Sequence, residues 1–78
     1  MAIAYVLINV ELGKEKDILN QLKGTDSVKE AYLVYGVYDI IAKVEATSME
    51  KLKEIVTYKI RRLSDIRSTL TMTVAEGV

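Results

Sequence analysis

The sequence contains no cysteine, no histidine, no tryptophan and no phenylalanine, and only four glycines in 78 residues. Without cysteine there is no disulfide framework and no thiol redox chemistry. Without histidine the chain loses the commonest metal ligand and the commonest general base at neutral pH. A zinc site would have to rest on carboxylates alone, and no nucleophile–base pair of the Ser–His or Cys–His kind can be assembled. Gly13 and Gly24 stand isolated, so there is no glycine-rich phosphate loop. Charge of one sign is also missing: eleven basic and eleven acidic residues cancel. A nucleic-acid binder of this size usually carries a surplus of Lys and Arg. The apolar runs are too short and interrupted to cross a bilayer. The N-terminus lacks a basic stretch and a cleavage signal, and the expected location is cytoplasmic.

What is present is apolar residues, 50% of the chain, arranged with clear period. The length predicts one domain spanning 1–78, near the lower limit at which a single core supports itself. Residues 2–11 read as a strand: Ala2, Ala4, Val6, Ile8 and Val10 alternate with Ile3, Tyr5, Leu7, Asn9 and Glu11. Residues 13–23 read as a helix with the stripe Ile18, Leu19 and Leu22, ended by Gly24 as a left-handed cap. Residues 27–35 and 38–46 read as strands joined by a two-residue turn, Gly36-Val37, because glycine accepts the positive φ such a turn demands. Thr47 and Glu50 fit a capping box. The helix they open places Met49, Leu52, Ile55, Val56, Ile60 and Leu63 at helical spacing and closes on Lys59, Arg61 and Arg62. Residues 65–75 read as a last strand, with Ile66, Ser68, Leu70, Met72 and Val74 on one face and Arg67, Thr69, Thr71 and Thr73 on the other.

The order βαββαβ, with right-handed crossovers, predicts an α/β (α+β) ferredoxin-like sandwich: a four-stranded antiparallel sheet with two helices on one face. The first strand sends Ile3, Tyr5 and Leu7 to the face the helices leave bare. Each large apolar side chain left in water forgoes about 1.5–3 kcal/mol. The expected resolution is a homodimer that packs sheet on sheet.

Within that frame three groups stand out. Asp39 follows the turn and precedes Ile40-Ile41-Ala42, where folding needs no charge. It reads either as a carboxylate accepting backbone N–H groups at the turn or as the receiver of a ligand's ammonium. Thr69, Thr71 and Thr73 read either as residues of high strand propensity or as a row of ligand-binding hydroxyls. Alternation is expected to put them on the helix-free side together with Asp39, and because strand one lies between strands three and four, a shared site is expected to form across a subunit boundary. Lys59, Arg61, Arg62 and Arg67 form the densest basic patch, which a helix C-terminus largely accounts for. RNA recognition on this fold needs stacked aromatics on a central strand, where this chain has Tyr38-Asp39-Ile40-Ile41-Ala42.

The stretch Tyr35-Gly36-Val37-Tyr38-Asp39-Ile40-Ile41-Ala42-Lys43-Val44 resembles the Gly-x-Tyr-Asp hairpin of the Lrp/AsnC family's effector domain, the RAM module (regulation of amino acid metabolism). Thr69-Leu70-Thr71 is similar to that family's Thr-x-Thr, and the resemblance runs over residues 2–75. It implies dimers paired through their sheets, rings of four or five dimers (an octamer or decamer), and amino acids bound in clefts between dimers near the hairpin. Carried over by position, the implied ligand-binding set is Tyr35, Gly36, Val37, Tyr38, Asp39, Thr69 and Thr71. Gly36, Val37 and Tyr38 would offer backbone contacts, and Asp39 would take the α-ammonium or order the loop. No cofactor, metal or catalytic residue is implied. The family's helix-turn-helix is not expected here, so direct DNA binding is not expected either. Ser64-Asp65-Ile66 stands where the family often has glycine, which leaves that turn open. The reading is a non-catalytic amino-acid-binding and oligomerisation module, acting as a sensor or by co-assembly with full-length Lrp/AsnC-type regulators. The alternative is a small dimeric ferredoxin-like enzyme of the cofactor-free oxygenase or isomerase type.

Overall fold

The computed structural model describes residues 1–77. Its elements run β1 (Ala2–Val10), α1 (Glu15–Lys23), β2 (Val28–Leu33), β3 (Ile40–Ala46), α2 (Met49–Ile55) with a π-helical continuation (Val56–Ile60), and β4 (Ile66–Thr73). The strands form one sheet in the order β2-β3-β1-β4, and every neighbouring pair is antiparallel. This is the expected βαββαβ ferredoxin-like sandwich.

The core follows from the alternation in β1. Ala4, Val6, Ile8 and Val10 are buried together with Ile40, Ala42 and Val44 of β3. Ile18 and Leu22 of α1, and Leu52, Val56 and Ile60 of the second helix, cover them in the same cluster. Among the described residues nothing polar is buried, so the core holds by apolar contact alone.

The second helix departs from expectation in two ways. Its N-cap is Ser48, whose Oγ accepts from the Lys51 N–H at 3.1 Å, rather than Thr47. With Ser48 as N-cap the third helical position is Lys51, so the expected capping box of Thr47 and Glu50 does not form. The helix then widens into a π turn, where the Arg61 N–H donates to the Val56 carbonyl at 2.9 Å. The spacing of Leu52, Val56 and Ile60 gives the reason. A strict four-residue repeat overshoots a 3.6-residue turn and drifts around an α-helix, and one wider turn brings Ile60 back over the core. Gly24 is likewise not left-handed: its φ is −83° and it ends α1 in right-handed geometry.

The turn before β4 is where glycine was missed, and Asp65 takes the strained role itself with a φ of 69°. Aspartate is among the few residues that visit this region. Its carbonyl there accepts from the Glu11 N–H at 2.8 Å, which ties the end of β1 to the start of β4.

The register of β4 corrects the assignment of its faces. Thr73, Thr71 and Thr69 pair opposite Ala4, Val6 and Ile8, the core-facing residues of β1, so the threonines lie on the helix side. Leu70 and Met72 pair opposite Leu7 and Tyr5 on the bare side. The register slips between Asn9 and Val10, leaving Ser68 opposite Asn9 and Ile66 opposite Val10. Arg67 is the extra residue of this bulge, and Ile66 turns inward to pack on the core instead of sharing a face with Ser68.

The bare face carries the predicted apolar stripe. Tyr5, Leu70 and Met72 remain 37%, 45% and 47% exposed, beside half-buried Ile3, Leu7 and Ile41. Toward β2 the stripe gives way to a polar island in which the Lys43 ammonium lies 3.7 Å from both Glu30 and Glu45.

Candidate functional site

The hairpin between β2 and β3 is wider than a two-residue turn. The strands stop at Leu33 and resume at Ile40, and residues 34–39 form a loop closed by one backbone bond, Val34 N–H to the Asp39 carbonyl at 2.9 Å. Gly36 sits in this loop with a φ of 149°, where a Cβ would meet no neighbour but the backbone itself disfavours one. Tyr35 and Val37 flank it, 107% and 84% exposed. The loop thus holds two apolar side chains in open water.

Asp39 ties this loop to the sheet. Its N–H donates to the Ile8 carbonyl at 3.0 Å, and its Oδ2 accepts from the Val10 N–H at 2.9 Å. The backbone ladder between β1 and β3 ends at Ile8 opposite Ile40. The carboxylate takes the place of the strand that would have paired with Val10, and the chain is released to form the loop. Asp39 does accept a backbone N–H, as its structural reading expects, but from Val10 of β1 rather than from the turn at Gly36-Val37.

Asp39 lines two cavities. One, of about 440 Å³, lies between the loop and the start of α1, lined by Gly13, Lys16, Leu33, Val34 and Tyr35. The other, of about 380 Å³, opens among Asn9, Val37, Arg67 and Ser68. In this second cavity the Asn9 Nδ2 donates to the Ser68 Oγ at 3.2 Å. The expected ligand residues thus divide. Tyr35, Val37 and Asp39 line these two spaces, with Gly36 at the loop tip and Tyr38 half-buried beside Asp39. Thr69 faces the helix side opposite Ile8, and Thr71 lines a separate groove of about 230 Å³ against Leu52, Val56 and Arg61 of the second helix. Within one chain Thr71 is on the other side of the sheet from the cavity beneath Val37. What β4 brings to Asp39 instead is Arg67 and Ser68, which the bulge re-aims. Within one chain, then, Asp39 beside β3 and Arg67 and Ser68 of β4 line one cavity, with Asn9 of β1 between them. The sequence carries no sign of a bulge at Arg67, so alternation alone misses this pair.

The basic patch disperses in the same way. Arg62 lies over the Tyr58 ring at 5.1 Å, Arg61 faces the groove by Thr71, and Arg67 faces the hairpin cavity. Lys59 lines a fourth space, of about 530 Å³, at the far end of the sheet near Ser27 and Glu45. On the bare face the Tyr32 hydroxyl donates to Glu30 Oε1 at 2.6 Å. That bond, and then the negative charge itself, raise the ionisation of the phenol above its ordinary 10.0. Among the described residues no group of three His, Cys, Asp or Glu converges to hold a metal ion, and no helix is long and apolar enough to cross a membrane.

Comparison with known proteins bears on this geometry. The family model of the Lrp/AsnC ligand binding domain matches residues 3–78. The regulatory protein AsnC of Escherichia coli K12 is 35% identical over 73 residues, which cover 90% of this chain and 48% of AsnC. The chain therefore spans about half the length of the curated relatives it matches. The crystal structure of FFRP-DM1 is 40% identical with a TM-score of 0.92, covering 95% of this chain and 99% of that one. The hypothetical protein PHS023 from Pyrococcus horikoshii is 39% identical, also at a TM-score of 0.92, covering 99% and 93%. Both the match and the hairpin it contains lead to one conclusion: the chain belongs to the Lrp/AsnC ligand-binding domain family.

Proposed function

We propose that this chain is a non-catalytic amino-acid-binding and oligomerisation module, with its ligand at the hairpin of residues 34–39. The observation that carries the reading is Asp39, a carboxylate that lines two cavities beside an exposed apolar loop, in a chain of this family. Such a carboxylate suits the α-ammonium of an amino acid, and the backbone around Gly36 offers polar groups beside it. Tyr35 and Val37 have too little support within one chain to form a closed pocket, which favours a site completed by a neighbouring subunit. A second copy packed on the stripe of Ile3, Tyr5, Leu7, Leu70 and Met72 supplies the dimer, and further assembly into a ring brings hairpins against adjacent dimers. Thr69 and Thr71 would then contribute from another subunit.

In this reading the chain is a single effector domain working in the cytoplasm. It senses an amino acid or co-assembles with full-length Lrp/AsnC-type regulators. The ligand shifts assembly only as far as it binds one oligomer better than the other.

A thermal-shift screen against the twenty amino acids, with light scattering on a sizing column for each hit, tests the proposal. A ligand at 100 times its Kd stabilises by about 2.7 kcal/mol, which in a domain of this size raises the melting point on the order of 10 °C. A monomer that responds to no amino acid refutes both halves. Turnover of a bound amino acid would replace the sensor with an enzyme of the same fold.

A further inference from the structure

The cavity beneath Val37 holds two opposite charges that do not meet. Asp39 enters it from the β3 side of β1 and Arg67 from the β4 side, with Asn9 of β1 between them. Among the described residues neither makes an ion pair within 4 Å. Asp39 commits Oδ2 to the Val10 N–H, which leaves its other oxygen free to accept. The Asn9 amide spends one of its two N–H groups on Ser68, which leaves the second N–H and the Ser68 hydroxyl hydrogen free to donate. Arg67 owes its place to the bulge, which frees one residue from the alternation of β4.

We propose that Arg67, supported by Asn9 and Ser68, binds the carboxylate of an α-amino acid while Asp39 binds its ammonium, so that one chain carries a complete clamp for the zwitterionic head group. This rests on the reading of the hairpin as an amino-acid site and adds to it the residue that recognises the acid. A zwitterion presents the two charges that the gap between Asp39 and Arg67 lacks. A guanidinium meets a carboxylate with two parallel N–H bonds, and the amide and hydroxyl donors beside it suit the same oxygens. The volume of about 380 Å³ falls within the range of small-molecule sites. Asp39 also lines the cavity of Glu15, Lys16, Leu33, Val34 and Tyr35, a mixed apolar and charged space on its other side. The head group is thus read inside one subunit, and any partner subunit acts on the side chain.

The test is calorimetric titration of the full chain with its best-binding amino acid, the α-carboxamide of that amino acid and its α-hydroxy analogue. In the wild type the carboxamide and the hydroxy acid bind at least about tenfold more weakly, each having lost one charged partner. Arg67→Gln should weaken the amino acid by about tenfold or more while leaving the carboxamide within about twofold. Arg67→Lys, which keeps the charge and loses the fork, should fall between. Asp39→Asn should likewise close the difference between the amino acid and the hydroxy acid. If Arg67→Gln binds the amino acid as the wild type does, or weakens amino acid and carboxamide alike, the clamp is refuted and the hairpin site stands without it. If no amino acid binds the wild type, the functional reading falls and takes the clamp with it. Arg67 is exposed, so its two variants are expected to melt with the wild type, and the Lys substitution separates loss of charge from loss of the fork.

Discussion

Removing the Asp39 carboxylate should loosen the end of β1 in a way that can be located to one amide. The Val10 N–H, partly buried, has the Asp39 Oδ2 as its partner at 2.9 Å. Asp39→Ala deletes an ionised acceptor and leaves that donor without a replacement, a loss of about 1.5–3 kcal/mol. Asp39→Asn keeps an oxygen in place and exchanges a charged bond for a neutral one, so its loss should be nearer 1 kcal/mol. A domain of 78 residues has about 4–12 kcal/mol in all, so both variants fold, the alanine variant with a melting point lower on the order of 10 °C. Urea unfolding gives the free energies, and hydrogen exchange gives the place. Protection of the Val10 amide should fall in the alanine variant, while the Val6 and Ile8 amides, deeper in the ladder, keep theirs. An alanine variant within about 0.5 kcal/mol of the wild type, with Val10 still protected, would show that the carboxylate does not hold the strand. Asp39 would then be free for a ligand alone.

Three further outcomes follow from the local geometry. Ser48→Ala should cost about 1 kcal/mol by removing the cap on Lys51, whereas Thr47→Ala should change stability little; thermal melts of the pair decide which residue begins the helix. Asp65→Gly should be neutral or stabilising by up to about 1 kcal/mol, and Asp65→Val should destabilise by about 1–2 kcal/mol, since a branched side chain resists a φ of 69°. Equal stability of the two variants in urea would rule out strain at that turn. Glu30→Gln should bring the Tyr32 ionisation back down toward 10.0, read as the tyrosinate absorbance on alkaline titration against a Tyr32→Phe control. Because the folded value is the raised one, the contribution of this bond to stability is complete below about pH 10 and is lost as pH climbs through the folded value.

The two kinds of face in β1 were legible from alternation alone, and so were both helix stripes and the order βαββαβ, because burial imposes periods of 2 and 3.6 on the chain. The same signal marked Ile3, Tyr5 and Leu7 as a second apolar face, and the structure leaves that face bare. The hairpin was located by Gly36 and by the charge at Asp39, two residues that folding of a plain strand would not select.

What the chain did not declare was everything that depends on a single-residue offset. A bulge at Arg67 reverses which residues of β4 face the helices, and it moves Thr69 and Thr71 away from Asp39 while delivering Arg67 and Ser68 to it. A π turn absorbs the drift of Leu52, Val56 and Ile60, and Asp65 takes up a backbone angle usually left to glycine. Each of these is decided by contacts between segments distant in sequence, such as Glu11 with Asp65 and Val10 with Asp39. Local pattern determined the elements and their buried sides. Only the tertiary structure, by fixing register across β1, decided which side chains share a cavity.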